Sequence, residues 1–305
     1  MSKRVLNTIR LLLTLALLIW VFIYICNHYP RYLPLLQKAD TTFLLLSSVA
    51  YGCHLLLVYS AWRKILNADH IVRPDALLGN YLFSNLAKYI PGGLGQIGGR
   101  LAGLREQGIP VSHVSIALII EQFYALAICS LAISLLIPFT HLGAELHFLE
   151  HFRWVIFLVG VISLALLLTN IPVVLLARII PKLDDIKSFA HKPAGVTTII
   201  LFAYAAFILA YYCSYLAYPE MPVITVSDFS FYLLLATLLG FLAVFVPAGL
   251  GVREGVLIVF LSQYVSYDKA LLVAVFPRFI LILVETGFFL LWLSFRFRFS
   301  IGKNP

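Results

Sequence analysis

The chain has 305 residues, of which 62% are apolar and only 12% charged, with a formal net charge of +8. Soluble domains carry about 45–50% apolar and about 25% charged residues, so this excess cannot be hidden in a water-soluble core. The positive charge does not form a nucleic-acid-binding face, because the basic residues sit in short clusters between apolar runs, which is the pattern of membrane topology.

The N-terminus carries Lys3, Arg4 and Arg10 ahead of an apolar run that reaches Cys26. Asn27, His28, Tyr29 and Pro30 follow, with no small-x-small cleavage site, so the run is expected to be a retained first helix and not a signal peptide. Six segments approach the ~20 residues needed to span a bilayer: roughly 9–26, 43–62, 114–138, 154–176, 196–218 and 270–295. Two further apolar regions are interrupted. The first runs from Leu77 through Pro91-Gly92-Gly93-Leu94-Gly95 to Gly108, and the second from Phe229 through Pro247-Ala248-Gly249-Leu250-Gly251 to Val265. The expected fold is an all-α membrane protein, with six transmembrane helices and two Pro/Gly-broken re-entrant hairpins in a single membrane domain over residues 1–305.

Charge bias tests the orientation. With both termini cytoplasmic and each broken region entering and leaving on one side, fifteen of the 22 basic residues fall inside, Arg100 and Arg105 among them. Four (Arg31, Lys38, Arg153 and Lys269) fall outside. That places a multi-pass protein in the cell inner membrane. It also makes the first broken region enter from the cytoplasm and the second from outside. An offset of 156 residues superposes Pro91-Gly-Gly-Leu-Gly95 on Pro247-Ala-Gly-Leu-Gly251, Gln122 on Arg278 and Phe123 on Phe279. The expectation is an inverted repeat, with copies at about 43–138 and 196–295, a recurring plan of membrane transporters. Proline removes a backbone donor and glycine permits tight turns, so such breaks must be buried in protein or line a wet cavity. A broken helix also aims a positive N-terminus at the break, suited to phosphate or carboxylate. Tight turns joining short helices, with no ligand, are the plain alternative.

Charges at membrane depth cost at least ~2.5–3.5 kcal/mol each and need a reason. Lys88 precedes the first break, Arg253 and Glu254 follow the second, Glu121 and Gln122 lie in the third crossing, and Arg278 and Glu285 share one face of the last. One reading is an ion-pair network, with Glu121 or Glu254 on Arg278. The other is a polar cavity in which Lys88, Arg253 and Arg278 attract an anionic headgroup; the two are compatible. Asn80, Ser84, Asn85, Tyr89 and Gln96 add polar groups around the first hairpin. Candidate binding residues are therefore Lys88, Pro91, Gly92, Gly93, Gly95, Gln96, Glu121, Gln122, Pro247, Gly249, Gly251, Arg253, Glu254, Arg278 and Glu285. Of His141, Glu145, His147, Glu150 and His151, the pair His147 and His151 has helical metal-ligand spacing, but a solvated loop is the simpler account. No catalytic residue, metal or cofactor is expected: no Ser/His/Asp or Cys/His arrangement, P-loop or dinucleotide fingerprint is legible.

The stretch Lys88-Tyr89-Ile90-Pro91-Gly92-Gly93-Leu94-Gly95-Gln96 with Glu121-Gln122, and Pro247-Ala248-Gly249-Leu250-Gly251-Val252-Arg253-Glu254-Gly255 with Arg278, resemble the membrane region of the lysylphosphatidylglycerol synthases. The resemblance covers about residues 10–295. It implies a flippase-like domain that moves a lipid between leaflets, in a stand-alone form, since the sequence ends at Pro305 without the aminoacyl-transferase domain that follows in the two-part synthases. Gln96 and Gln122 stand where the family pattern has an acidic residue and an arginine, which makes the first half-site less charged. The expected partners are membrane lipids, an anionic phospholipid or a polyprenyl-phosphate-linked lipid, and not nucleic acid. The same repeats would serve an ion- or proton-coupled carrier of a small solute, and a fully paired interior would suit a non-transporting partner of a biosynthetic enzyme.

Overall fold

The computed structural model describes residues 33–34, 36–67, 72–89, 95–140, 153–169, 193–218, 221–243, 249 and 251–301. Among these residues there are nine α-helices and no strand: α1 (Thr41–Leu66), α2 (Pro74–Ala87), α3 (Gly95–Arg105), α4 (Val111–Leu136), α5 (Arg153–Leu168), α6 (Pro193–Leu216), α7 (Val226–Leu242), α8 (Val252–Leu261) and α9 (Tyr267–Ile301). Among the described residues, four stretches are long and apolar enough to cross a membrane: Thr41–Leu66, Val111–Phe139, Ala194–Leu216 and Tyr267–Arg296. They coincide with four of the expected crossings. The expected crossing at 9–26 lies outside the described residues, and the one at 154–176 is described as far as Thr169.

Local chemistry sets the helix ends. The Asp40 carboxylate accepts the Thr42 N–H at 2.8 Å to cap α1, and Asn67 closes it in the left-handed region (φ 47°) with its N–H on the Arg63 carbonyl. Arg63 and Lys64 occupy the last turn of α1, where the helix dipole favours cations. Pro74 opens α2, and Thr225 caps α7 by accepting the Asp228 N–H at 3.1 Å. The helices expose apolar side chains outward. Trp154, Val155, Phe157, Leu158, Val161 and Ile162 of α5 are all exposed, a surface that suits lipid and not water.

The registers are legible from side-chain contacts. α1 and α6 run antiparallel. The Asp40 N–H reaches the Ala217 carbonyl, Ser47 Oγ donates to Ala210, Tyr51 packs on Phe207 and Tyr211, and His54 Nδ1 meets the Ala203 carbonyl at 2.8 Å. α2 and α3 form an antiparallel hairpin, with Gly95 against Ala87, Gly99 against Ser84, and Gly103 against Asn80. α7 and α8 form another, with Gly240 against Arg253 and Tyr232 stacked on Phe260. At one end of the bundle His113, on α4, bonds the last carbonyl of α1, and Trp292 Nε1, on α9, donates to Asp75 at the start of α2. At the other end the 3-10 turn Ile137–Phe139 that closes α4 lies beside α7, while Tyr212 donates to Ile224 just before α7.

Two apolar clusters form the interior. One gathers α6, α7, α8 and the first half of α9; the other gathers the end of α1, α2 and the start of α4. On α9, Leu281 and Val284 pack on the first cluster and Phe288 and Phe289 on the second, so Glu285 falls at the level between them.

The hairpin contact gives a matched pair of glycines. A Cβ at Gly95 would sit 2.0 Å from the Ala87 carbonyl oxygen, which is backbone and cannot swing aside, whereas a Cβ at Gly98 meets nothing within 4 Å. Gly95→Ala is expected to cost about 1–3 kcal/mol or more by overpacking. Gly98→Ala is expected to leave stability unchanged or slightly raised. Thermal unfolding of the two detergent-solubilised variants checks this; equal midpoints would mean the α2–α3 contact is looser than described.

Candidate functional site

Where each hairpin breaks, charge is concentrated. Lys88 follows the last turn of α2, and its Nζ donates to Glu285 Oε1 at 2.5 Å. Beyond the second break, Glu254 in the first turn of α8 forms an ion pair with Arg278, Nε lying 2.9 Å from Oε1, and accepts the Gly251 N–H on Oε2 at 2.7 Å. The second contact is a capping bond to a donor that the break would otherwise leave unanswered. Gly251 holds φ 87° and Gly249 φ 62°, left-handed values that favour glycine, and Gly249 lies directly over Gly240 of α7.

A third pair lies within the first hairpin. Arg100, only 1% exposed, donates through Nη1 to Glu121 on α4. Its Nε reaches Ser84 Oγ at 3.3 Å and its Nη2 reaches Asn85 Oδ1 at 3.4 Å. The guanidinium faces the rings of Trp62 and Tyr81 at 4.3 and 4.7 Å, so each charged or polar edge is answered. Gln96 Nε2 donates to the same Asn85 oxygen at 3.0 Å.

Arg253 differs. Its guanidinium packs against the rings of Phe207 and Tyr211 at 4.8 and 4.5 Å. Its Nε and Nη2 are buried and find no hydrogen-bond partner among the described residues. The hydroxyls of Tyr51, Tyr89 and Tyr211 are likewise buried and make no well-aligned hydrogen bond among those residues, although Tyr211 lies close to both Tyr51 and Arg253, and Tyr89 close to Glu285. These groups are neighbours. Lys88 and Arg253 both lie within electrostatic reach of His54, Tyr51 within reach of Tyr89, Tyr211 and Arg253, and Tyr89 within reach of Glu285 and Arg278. The ends of both hairpins therefore meet in one polar cluster, at the level of Glu285. Among the described residues no three His, Cys, Asp or Glu side chains converge as a metal site would require; the His141–His151 stretch lies outside them.

The sequence profile of the family described as Lysylphosphatidylglycerol synthase TM region matches residues 7–287. The chain belongs to this family. Comparison with curated proteins and with solved structures gives no match. Family membership and the four long apolar helices together make this a membrane protein of the lysylphosphatidylglycerol synthase transmembrane-region family.

Within this family member the sequence-predicted residues separate into three groups. Lys88, Gln96, Glu121, Arg253, Glu254, Arg278 and Glu285 are brought into the cluster or its immediate extension, with Gly95, Gly249 and Gly251 holding the backbone beside it. Gln122 is exposed on the outer face of α4 and does not join it. One residue of helix turns the side chain by about 100°, away from the face that carries Glu121. Pro91, Gly92, Gly93 and Pro247 lie outside the described residues. One assignment is corrected: Arg100, counted above among the cytoplasmic loop cations, is buried in α3 and paired with Glu121. The available signal was Glu121 itself. A carboxylate at membrane depth demands a cation, and Arg100, four residues beyond Gln96, sits one helical turn further along the polar face of the hairpin.

Removing one member of a buried pair leaves an uncompensated charge. Arg100→Ala is expected to lose about 3–5 kcal/mol, while R100M combined with E121L removes both charges and recovers most of that loss. Thermal unfolding of the single and double variants tests this. A single variant as stable as the wild type would show that Glu121 has a second cation.

Proposed function

We propose that this chain is a flippase-like protein that moves an anionic lipid headgroup between bilayer leaflets while the acyl chains stay in lipid. The observation that carries the reading is the convergence of both hairpin breaks on one buried cluster of charges. In this reading α2–α3 and α7–α8 are re-entrant and α1–α4 and α6–α9 are two copies of one unit, inserted in opposite senses. The antiparallel register of α1 and α6 supports that relation, as does the gathering of α1's end, α2's start and α4's start at one end of the bundle. Opposed repeats with broken helices at mid-depth permit alternating exposure by rocking one repeat against the other. Under this reading the chain, with the crossing expected from the sequence at 9–26 and the charge bias described above, has six crossings, cytoplasmic termini and a place in the inner membrane. The headgroup belongs to an anionic phospholipid or a polyprenyl-phosphate-linked lipid. In this reading the charged groups position a headgroup and carry out no covalent chemistry.

The three ion pairs also suit a second reading, a membrane partner that steadies a lipid-biosynthetic enzyme without transporting anything. The unpartnered Arg253 favours the first, because a purely structural network has no use for a buried cation left over.

In proteoliposomes, the purified protein is expected to speed loss of fluorescent phosphatidylglycerol from the inner leaflet, read by dithionite quenching. Combining Arg278→Gln with Glu254→Gln removes both charges of one pair and so avoids stranding either. This variant is expected to unfold near the wild-type temperature and to move lipid at least about tenfold more slowly, the loss of one or two charged hydrogen bonds in the pathway. Transport at the wild-type rate would take the cluster out of the pathway; no transport of any anionic lipid by the wild type would end the flippase reading.

A further inference from the structure

Among the described residues, four cations meet three carboxylates in the cluster. Lys88 is answered by Glu285, Arg278 by Glu254 and Arg100 by Glu121. Arg253 has no ion pair among the described residues, and the neighbouring Glu254 is already committed to Arg278 and to the Gly251 N–H. The rings of Phe207 and Tyr211 give its charge partial compensation. They cannot satisfy Nε and Nη2, which need acceptors, and an arginine supplies only donors. Tyr51 and Tyr211, both wholly buried, lie beside one another and beside the same guanidinium, and neither hydroxyl completes a well-aligned hydrogen bond among the described residues. The N-terminus of the ten-residue α8 opens one residue before Arg253, adding a favourable dipole for an anion.

We propose that Arg253, Tyr51 and Tyr211 form a site for a singly charged phosphodiester. The inference rests on reading the cluster as a headgroup chamber, and it names the headgroup's chemistry. A phosphodiester has two free oxygens and one negative charge. It can take the two open edges of the guanidinium in the forked geometry that arginine prefers, with oxygen lone pairs left for the tyrosine hydroxyls. Its single charge cancels the one surplus cation. A phosphomonoester brings up to a second charge with nothing to meet it. A zwitterionic or aminoacylated headgroup brings an ammonium into a chamber whose three carboxylates are each already neutralised by one cation, and although Glu254 Oε1 and Glu285 Oε2 accept no hydrogen bond among the described residues, a further buried positive charge there is left uncompensated and is strongly disfavoured. The chamber therefore discriminates by charge count, and it selects against the cationic headgroups that its glutamates, taken alone, would attract.

The test is equilibrium binding to the full-length protein in phosphatidylcholine nanodiscs, read by displacement of fluorescent phosphatidylglycerol. The competitors are phosphatidylglycerol, phosphatidic acid, phosphatidylethanolamine, lysyl-phosphatidylglycerol and water-soluble glycerophosphoglycerol. Phosphatidylglycerol is expected to bind at least about tenfold more tightly than the other three lipids, as the loss or mismatch of one charged contact implies. Arg253→Gln is expected to lose that preference. The Tyr51→Phe and Tyr211→Phe double variant, which keeps both rings and their packing, is expected to weaken phosphatidylglycerol severalfold with an unchanged thermal midpoint. Phosphatidylethanolamine binding as well as phosphatidylglycerol, or both variants binding phosphatidylglycerol like the wild type, would overturn the proposal. Glycerophosphoglycerol competing as well as the lipid supports the site and assigns it to the headgroup alone; competition only by the lipid supports it and adds the acyl chains to recognition. Binding is measured without transport, so selective binding with no lipid movement would remove the flippase reading and leave this site standing.

Discussion

Inside a bilayer a charge has to be answered by another charge, because neither water nor lipid will do it. Here that requirement is met between helices and not within them. Lys88 joins α2 to Glu285 on α9, Arg278 on α9 joins Glu254 on α8, and Arg100 on α3 joins Glu121 on α4. Each pair ties a short helix of a hairpin to a long helix, so the broken segments are pinned to the frame at the places where their own backbone is interrupted. Apolar packing alone would give these short helices little positional preference, since lipid tails are as apolar as the side chains they replace.

The breaks themselves follow the same rule. A helix that stops in mid-bundle leaves N–H and C=O groups that lipid cannot satisfy. At the second break one carboxylate does two jobs: Glu254 accepts the Gly251 N–H with one oxygen and holds Arg278 with the other. Arginine-aromatic contacts fill the remaining space, with Arg100 on Trp62 and Tyr81 and Arg253 on Phe207 and Tyr211. The two arginines are alike in their aromatic bed and differ in that only Arg100 also has a carboxylate.

Much of the architecture was legible in the sequence because in membranes apolar run length and proline-glycine interruptions carry most of the structural information. Four of the expected crossings fall on long apolar helices, and both interrupted regions form antiparallel helix pairs bounded within a few residues of where Leu77–Gly108 and Phe229–Val265 place them. The members of the cluster were legible individually, since an ionisable residue deep in an apolar run stands out. Their pairing was not. Which carboxylate meets which cation depends on helix rotation and hairpin register, set by small-residue contacts such as Gly95 on Ala87 and Gly240 on Arg253 that no local pattern encodes. Arg100 was hidden for a related reason. It sits in a glycine-rich, weakly apolar helix, near enough to the end of the interrupted region to be counted with the cytoplasmic cations, and the aromatic rings that shelter it come from α1 and α2. Gln122 shows the converse: alignment of the two repeats paired it with Arg278, but adjacency to Glu121 on a helix places it on another face.

Near one end of α9 the indole of Trp292 lies so close over Gly79 of α2 that a methyl group there would meet the ring at 2.0 Å, and its N–H holds the Asp75 carbonyl. Glu285 lies two turns before Trp292, Arg278 two turns before that, and Pro277 stands beside Arg278, where it removes one rung of the helix ladder. One continuous beam thus carries the fastenings of both hairpins, with its weakest point next to the fastening of the second. Neither hairpin can shift far without tugging the other through that beam, unless an ion pair parts, the indole slides off its glycine or the beam bends at the proline.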